Sequence, residues 1–465
     1  MLAADRTTLL PAGTLPLPAP SPAPAADPHL PATIGKYRVS RRLGEGATSE
    51  VFLARDEFHQ RDVALKRVSL PAHDGGAEPR YFEKFFAAEA ALVGRLQHPN
   101  VVQIYDAVED PVAPYLVMEY VPGYTLRRFC RADQLLSLEQ IVEIGFKCAM
   151  ALGYVYRQGL IHRDVKPANL LAVVDGDQVV DVKVTDFGSV LNLRSDRTQI
   201  FRVGSLAYMS PEQLDGSTLD CRADIYSLAA VLYHLIAGRP PFEADTQPAI
   251  MHQIYNEVPA PLTALRDGVP PTLDHLVRSA LAKQRDDRPA DWDAFAQGLS
   301  ALVANREVPR GKLQGVLDSE RFTLLRSLEF FAGFGDVELW EVVHRARWQR
   351  FKYGHALYKR GQEGNTFHIV AQGAVDVYRE GNRVAELGAG TSVGEMAYLA
   401  PNPELRRHSA DVLVTAPTTT VSFTPETLEQ LSVGTRHLFD KAFIRVLVRR
   451  LHAAHEQLAH PRRIL

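Results

Sequence analysis

At 465 residues the chain exceeds what one ordinary core accommodates, so two or three domains are expected. It is 46% hydrophobic and 23% charged, and 52 basic against 55 acidic side chains leave a net charge of −3. That balance lacks the basic excess with which nucleic acid or an anionic membrane is bound, so neither is expected as a partner. Three widely spaced cysteines (Cys130, Cys148, Cys221) argue against a disulfide framework or a zinc site and fit a reducing compartment. No apolar run reaches the roughly 18–20 residues of a membrane span. The N-terminus, broken by prolines and with Arg6 as its base, makes a poor signal peptide, so a cytoplasmic protein is the expectation.

Residues 1–33 are dominated by Pro and Ala and carry no aromatic residue. Such a stretch buries too little apolar surface to offset chain entropy, which predicts a disordered tail of polyproline character. From Ile34-Gly35-Lys36-Tyr37-Arg38-Val39 to about Ala64, short apolar–polar alternation predicts antiparallel strands. Residues 80–97 change to helical spacing through Phe82, Phe85, Phe86, Ala90, Val93 and Leu96. Beyond Gly123 the pattern is mostly helical, with long segments near 138–158, 222–237 and 291–303. A first domain over 34–303 would therefore have a small strand-rich lobe and a larger helical one. Asn305-Arg306-Glu307-Val308-Pro309-Arg310-Gly311 reads as part of a linker over 304–318. The second domain, 319–458, opens with a helical stretch to 347 and continues as short strands with Gly-rich turns over 350–424. It ends in an amphipathic helix with Phe443, Val446, Leu447 and Leu451 along one stripe.

The segment Ile161-His162-Arg163-Asp164-Val165-Lys166-Pro167-Ala168-Asn169, followed by Thr185-Asp186-Phe187-Gly188, carries the most chemistry. Asp164 is placed to accept the proton of an attacking hydroxyl and Lys166 to steady a γ-phosphate, while Asn169 and Asp186 suit Mg²⁺. These are the parts that phosphoryl transfer to a hydroxyl requires. Singly, such residues are more often turn formers or solvated surface. The combined string resembles the catalytic loop and metal-binding motif of eukaryotic-like (Hanks-type) bacterial Ser/Thr protein kinases.

That resemblance implies roles for distant residues. Gly44-Glu45-Gly46-Ala47-Thr48-Ser49-Glu50-Val51 resembles the phosphate-covering hairpin, with Ser49 where the family usually has a third glycine. Lys66 in Val63-Ala64-Leu65-Lys66 would reach the α and β phosphates, held by Glu89, nine residues before His98-Pro99-Asn100. Leu43, Val51 and Ala64 would line the adenine pocket, Met118 would guard its back, and backbone groups at Glu119 and Val121 would bond the adenine edge. Gly188 would permit an unusual backbone turn and Phe187 would pack beneath the Glu89 helix. Ser205, in Gly204-Ser205-Leu206-Ala207-Tyr208-Met209-Ser210-Pro211-Glu212, would contact the catalytic pair and favour Ser/Thr acceptors. Ser210 stands where alanine is commoner. Glu212 would pair with Arg288, and Asp224 would anchor the catalytic-loop backbone. Arg163 beside Asp164 marks, in this family, activation by phosphate on the following segment, for which Thr198 and Ser195, flanked by Arg194, Arg197 and Arg202, are the candidates.

The second domain resembles a cyclic-nucleotide-binding domain through Leu328-Glu329-Phe330-Phe331-Ala332-Gly333-Phe334, Lys359-Arg360-Gly361-Gln362-Glu363-Gly364-Asn365, Leu387-Gly388-Ala389-Gly390 and Val393-Gly394-Glu395-Met396-Ala397. The resemblance implies that Gly394-Glu395 meets a ribose 2′-OH and that amides near Met396-Ala397 reach phosphate. Where the family places a phosphate-binding arginine this sequence has His408, with Arg406 and Arg407 just upstream in a lengthened loop. A neutral histidine does not replace a bidentate arginine. Register slippage that brings Arg407 round would restore binding of cAMP or cGMP; without it the domain is a degenerate scaffold.

The expected fold class is α+β multidomain: a bilobal protein-kinase fold followed by a β jelly roll with flanking helices. The leading function is an ATP- and Mg²⁺-dependent Ser/Thr protein kinase acting on protein substrates. It would be activated on its activation segment, regulated through the second domain, and homodimeric through the C-terminal helices. The alternative is a pseudokinase scaffold with a degenerate sensor, against which Lys66, Asp164, Asn169 and Asp186 are all present. A DNA-binding regulator would need a helix-turn-helix module for which the helical end leaves no room.

Overall fold

The structure, a computed structural model, describes residues 30–46, 49–68, 86–110, 113–175, 178–192, 206–308, 317–400, 402 and 406–459. The expected tail falls outside these residues except at its end, where Thr33 pairs with Arg38 in a short strand, Thr33–Ile34. A six-stranded antiparallel sheet follows, in the order Thr33–Ile34, Tyr37–Gly46, Ser49–Asp56, Arg61–Val68, Tyr115–Glu119, Ile104–Val108. Side chains alternate across it with period two. Val63, Leu65 and Val117 join Phe52 and Tyr115 in a cluster on one face. Ala64 and Met118, paired across neighbouring strands, take the other face, together with Leu116 opposite Lys66.

Only Phe86–Ala90 of the stretch expected to be helical over 80–97 is described as helix, and turns occupy 91–95. Gly94 takes a left-handed conformation (φ +68°) and sends its N–H to the Ile104 carbonyl, which turns the chain back towards the sheet.

The larger lobe is built around the buried helix Leu138–Arg157, started by a reciprocal cap between Ser137 and Gln140. Helices Cys221–Ala237 and Trp292–Ala304 pack on it. Beyond Gly123 the chain also contains strands that the helical reading did not anticipate. Gly123–Thr125, Leu170–Asp175 and Gln178–Val184 form a three-stranded sheet that leads directly to Asp186.

The second unit opens with helices Asp318–Ser327 and Asp336–Arg345, interrupted by a 3₁₀ turn at Glu329–Phe331 where a single stretch was expected. Both helices lie against the first unit: Phe146 meets Phe322 at 6.0 Å and Trp340 at 6.1 Å between ring centroids. Two four-stranded antiparallel sheets follow. One orders Arg347–Phe351, Thr418–Phe423, Phe367–Gln372, Ser392–Val393; the other orders Ala356–Tyr358, Asp411–Val414, Ala374–Arg379, Asn382–Gly388. The closing helix, Val433–Ala459, splits its expected stripe. Phe443 is buried and Val446 packs beside the core, whereas Leu447 and Leu451 are exposed, with Ile444 and Val448 alongside. Among the described residues no helix is long and apolar enough to cross a membrane.

Candidate functional site

The cleft between the lobes gathers charge from four segments. Lys66 Nζ donates to both Glu89 oxygens (2.8 Å each) and to Asp186 Oδ1 (2.7 Å). On the opposite wall Lys166 Nζ donates to Asp164 Oδ2 (2.8 Å). The Asn169 amide donates to the Asp164 carbonyl (2.9 Å) and to Asp164 Oδ2 (3.0 Å). Its nitrogen is thereby committed, so the amide oxygen is the atom left for a cation. One amide oxygen and one carboxylate, Asn169 and Asp186, are the hard oxygen donors that Mg²⁺ accepts, so the residues fit that ion.

Burial would push the Lys66 ammonium down, but Asp186 and Glu89 outweigh it and hold the lysine charged. Burial likewise pulls on Asp186, and the Lys66 cation overrides it, keeping this carboxyl well below the usual carboxylate range. Two strained backbones accompany these charges. Arg163 (φ +67°) and Asp186 (φ +65°) are both left-handed, a conformation that costs roughly 1–3 kcal/mol for a non-glycine residue and clusters at functional sites. The unusual turn therefore falls on Asp186 itself and not on Gly188, which does not have a positive φ. Phe187 is buried beside the His162 ring, 5.0 Å between centroids.

The catalytic loop is fixed from below. Asp224 accepts the His162 and Arg163 backbone N–H groups (2.7 and 2.9 Å). Arg288 forks onto both oxygens of Glu212 (2.6 and 2.9 Å) in a pair almost without solvent. The serine at 210 has a local reason: it is fully buried, bonds Gln213 Oε1 through its N–H and hydroxyl, and caps the short helix Pro211–Asp215. Gln213 in turn donates to the Arg163 carbonyl (2.9 Å), an aid to the loop that motif reading missed, although Ser-x-x-Gln is a capping-box signature.

In the small lobe, Gly44, Glu45 and Gly46 close one strand, pairing with Val51, Glu50 and Ser49. A side chain at Gly44 would meet open space, as a backbone approached by phosphate requires. Leu43, Val51 and Val121 flank the cluster that contains Ala64 and Met118. The Glu119 N–H is spent on the Gln103 carbonyl (2.9 Å), so the adenine contact expected of this residue would fall to its carbonyl. Thr198, Ser195 and Ser205, with Arg194, Arg197 and Arg202, lie outside the described residues.

In the second unit a cavity of about 100 Å³ is lined by Tyr358, Gly394, Glu395, Met396, Ala397 and His408, among others, and by Arg450. It is smaller than the roughly 300–1,000 Å³ of typical ligand sites. Gly394 is left-handed (φ +85°), and a Cβ there would collide with the Tyr358 hydroxyl. His408 is buried and stacked on Tyr358, 3.8 Å between centroids. Its backbone is pinned on both sides, accepting from Gly361 N–H (2.8 Å) and donating to Gln362 O (2.9 Å). This register corrects the expectation for Arg407, which does not line the cavity: its guanidinium donates to the Gly361 carbonyl (2.9 Å) at the surface. The arginine that enters the cavity is Arg450, from the closing helix. It bonds Glu395 Oε1 and donates to the Ser392 carbonyl (2.7 Å). Glu395 Oε2 and Ser392 Oγ are buried and have no partner among the described residues.

Two lobes joined near Glu119–Val121, with a lysine clamped by two carboxylates over an Asp–Lys–Asn loop, define a bilobal phosphotransferase class. Residues 37–299 match the protein kinase domain, and the chain belongs to that family. Residues 348–433 match the cyclic nucleotide-binding domain. The chain is 38% identical over 299 residues to the serine/threonine-protein kinase PknB of Mycolicibacterium smegmatis, covering 62% of this chain and 46% of that protein. It is 35% identical over 302 residues to PknB of Mycobacterium tuberculosis (63% and 46%), and 37% over 269 residues to PknB of Mycobacterium leprae (56% and 41%). The chain thus spans about half the length of the curated relatives it matches.

Proposed function

We propose that the chain is an ATP-dependent, cytoplasmic Ser/Thr protein kinase whose catalytic unit is residues 34–303 and whose regulatory unit is residues 319–458. The observation that carries this reading is the Lys66 ammonium clamped between Glu89 and Asp186, because it sets a cation where α and β phosphates would lie. Asp164 orients the acceptor hydroxyl and takes its proton, while Lys166, already bonded to Asp164, holds charge at the transferred phosphoryl group. Mg²⁺, held by Asn169 and Asp186, would neutralise phosphate charge. Leu43, Val51, Ala64 and Met118 enclose the adenine, and the Glu119 carbonyl and Val121 backbone read its edge. Phosphate on Thr198 or Ser195 orders the activation segment, and the exposed ridge on the closing helix pairs two copies for that exchange.

The test compares wild type with Asp164→Asn and Lys66→Met in transfer of γ-phosphate from ATP to a Ser/Thr peptide. Asp164→Asn is expected to lose about 10²–10⁴-fold in kcat, the usual contribution of a positioned base. Activity in that variant equal to wild type would sink the reading. A second reading, a regulatory unit closed to nucleotides, is favoured by Arg450 on Glu395 and predicts no calorimetric response to cAMP or cGMP.

A further inference from the structure

The boundary between the two units buries more charge than either half requires. Glu143 and Lys147 sit one turn apart on the helix Leu138–Arg157, both buried and neither used in the cleft. Buried charges need partners, and here they come from the start of the second unit. Ser319 donates its N–H to Glu143 Oε1 (3.1 Å) and its hydroxyl to Oε2 (2.6 Å). Lys147 Nζ donates to Asp318 Oδ2 (2.9 Å) and also to Asp181 Oδ1 (3.0 Å).

Asp181 extends this cluster towards the cleft. Its Oδ1 also accepts from the Asn100 side chain (2.8 Å). The Asn100 carbonyl accepts the Val184 N–H (2.8 Å), two residues before Asp186. An unbroken run of hydrogen bonds therefore joins Asp318 to the strand that delivers Asp186. A second contact reaches the other side of the cleft. The Trp340 ring, fully buried, stands edge-on to His98 at 6.4 Å, and Tyr154 stacks on the same imidazole at 5.4 Å. His98 Nδ1 accepts the Asn100 N–H (3.1 Å), so Trp340 and Tyr154 grip the turn that follows the Glu89 helix.

We propose that Asp318 and Trp340 are positioning residues for the catalytic cleft, so that docking of the second unit sets the placement of Asp186 and Glu89. The effect on phosphotransfer rests on the kinase reading; the effect on the geometry does not. Removing the Asp318 carboxylate frees Lys147 from one of its two carboxylate hydrogen-bond partners and loosens the Asp181–Asn100 contact behind Asp186. Removing the indole leaves a void against His98. Rim pairs such as Arg326–Asp293 (3.5 Å, 46% and 42% exposed) are solvated and carry little of this.

The experiment uses the full chain: wild type, Asp318→Asn, Trp340→Ala, Trp340→Phe and the rim control Arg326→Ala. Hydrogen–deuterium exchange of peptides covering 178–186 and 98–104 is followed together with kcat and the KM for ATP. Coupling of the usual size accelerates exchange and lowers kcat by about 2- to 30-fold in Asp318→Asn and Trp340→Ala. Trp340→Phe, which keeps a ring against His98, restores most of both, and Arg326→Ala leaves both as in wild type. If Trp340→Ala fails to fold, Asp318→Asn, which removes charge at constant size, decides alone. Exchange over 178–186 at the wild-type rate in Asp318→Asn overturns the proposal, as does an equal change in Arg326→Ala. Altered exchange in Asp318→Asn beside a wild type without phosphotransfer upholds the positioning and removes the kinase reading instead.

Discussion

Arg450 reaches from the closing helix to Glu395, 55 residues earlier, and occupies the carboxylate that a ribose would need. Glu395 is 1% exposed and Arg450 is 37% exposed, so the pair joins a buried acceptor to a half-solvated arm that can leave. A ligand that used Glu395 would therefore compete with the closing helix for one side chain.

That competition has a measurable consequence. A charge-assisted hydrogen bond contributes roughly 1.5–3 kcal/mol, so Arg450→Ala is expected to raise affinity for cAMP or cGMP by about 10- to 100-fold in calorimetric titration of the full chain. Unchanged or weaker binding would mean that Arg450 does not compete with the ligand.

Glu89→Gln leaves Lys66 with Asp186 as its carboxylate partner, which would draw the ammonium towards Asp186 and away from where α and β phosphates would lie. A fall in kcat/KM for ATP of about 10- to 100-fold, the loss of one charged hydrogen bond, is expected in steady-state kinetics. Equal kinetics in wild type and variant would remove Glu89 from the site.

Arg288 is fully buried against Glu212, and truncating one partner strands the other charge. Arg288→Ala should cost about 3–5 kcal/mol of stability, read from denaturant unfolding, far more than loss of a surface pair. A change no larger than that of Arg326→Ala would contradict the burial argument.

Acid should weaken the fold through buried histidines. Burial lowers His98 to about 3, with Arg157 and Lys183 adding to the effect, and burial lowers His368 to about 4, both from an ordinary 6.5. Between 6.5 and about 4 the unfolded chain binds protons that the folded chain refuses. Stability present above that window is therefore lost as pH falls through it, by about 1.4 kcal/mol per pH unit for each histidine. Urea unfolding at several pH values should show a shallower dependence in His368→Gln than in wild type; parallel curves would exclude His368 as a source.

The apolar ridge of Ile444, Leu447, Val448 and Leu451 should pair two copies. Sedimentation equilibrium is expected to give a dimer for wild type and a monomer for Leu447→Glu combined with Leu451→Glu. A wild-type monomer at high concentration would leave the ridge without that role.

The cleft was readable because its chemistry is local. Asp164, Lys166 and Asn169 lie within one loop, and Lys66 sits in a strand whose period-two pattern sends it to the cleft face. The Ser210–Gln213 cap is equally local, but its link to the Arg163 carbonyl, 50 residues away, is not encoded in that spacing. Arg450 carried no such signal: nothing near Gly394-Glu395 indicates that a helix 55 residues on will fold back over it. The Lys147–Asp318 pair spans 171 residues and was hidden for the same reason.

The sequence by itself determined the family, the two-unit order and the residue types of a phosphotransfer site, because spacing within single loops and strands is enough to place those groups. The tertiary structure alone decided which arginine faces Glu395, that the strained backbone falls on Asp186, and that the second unit is clamped to the strand behind it. Those outcomes depend on how distant elements pack, and packing pairs groups by burial and charge across separations that no local pattern encodes.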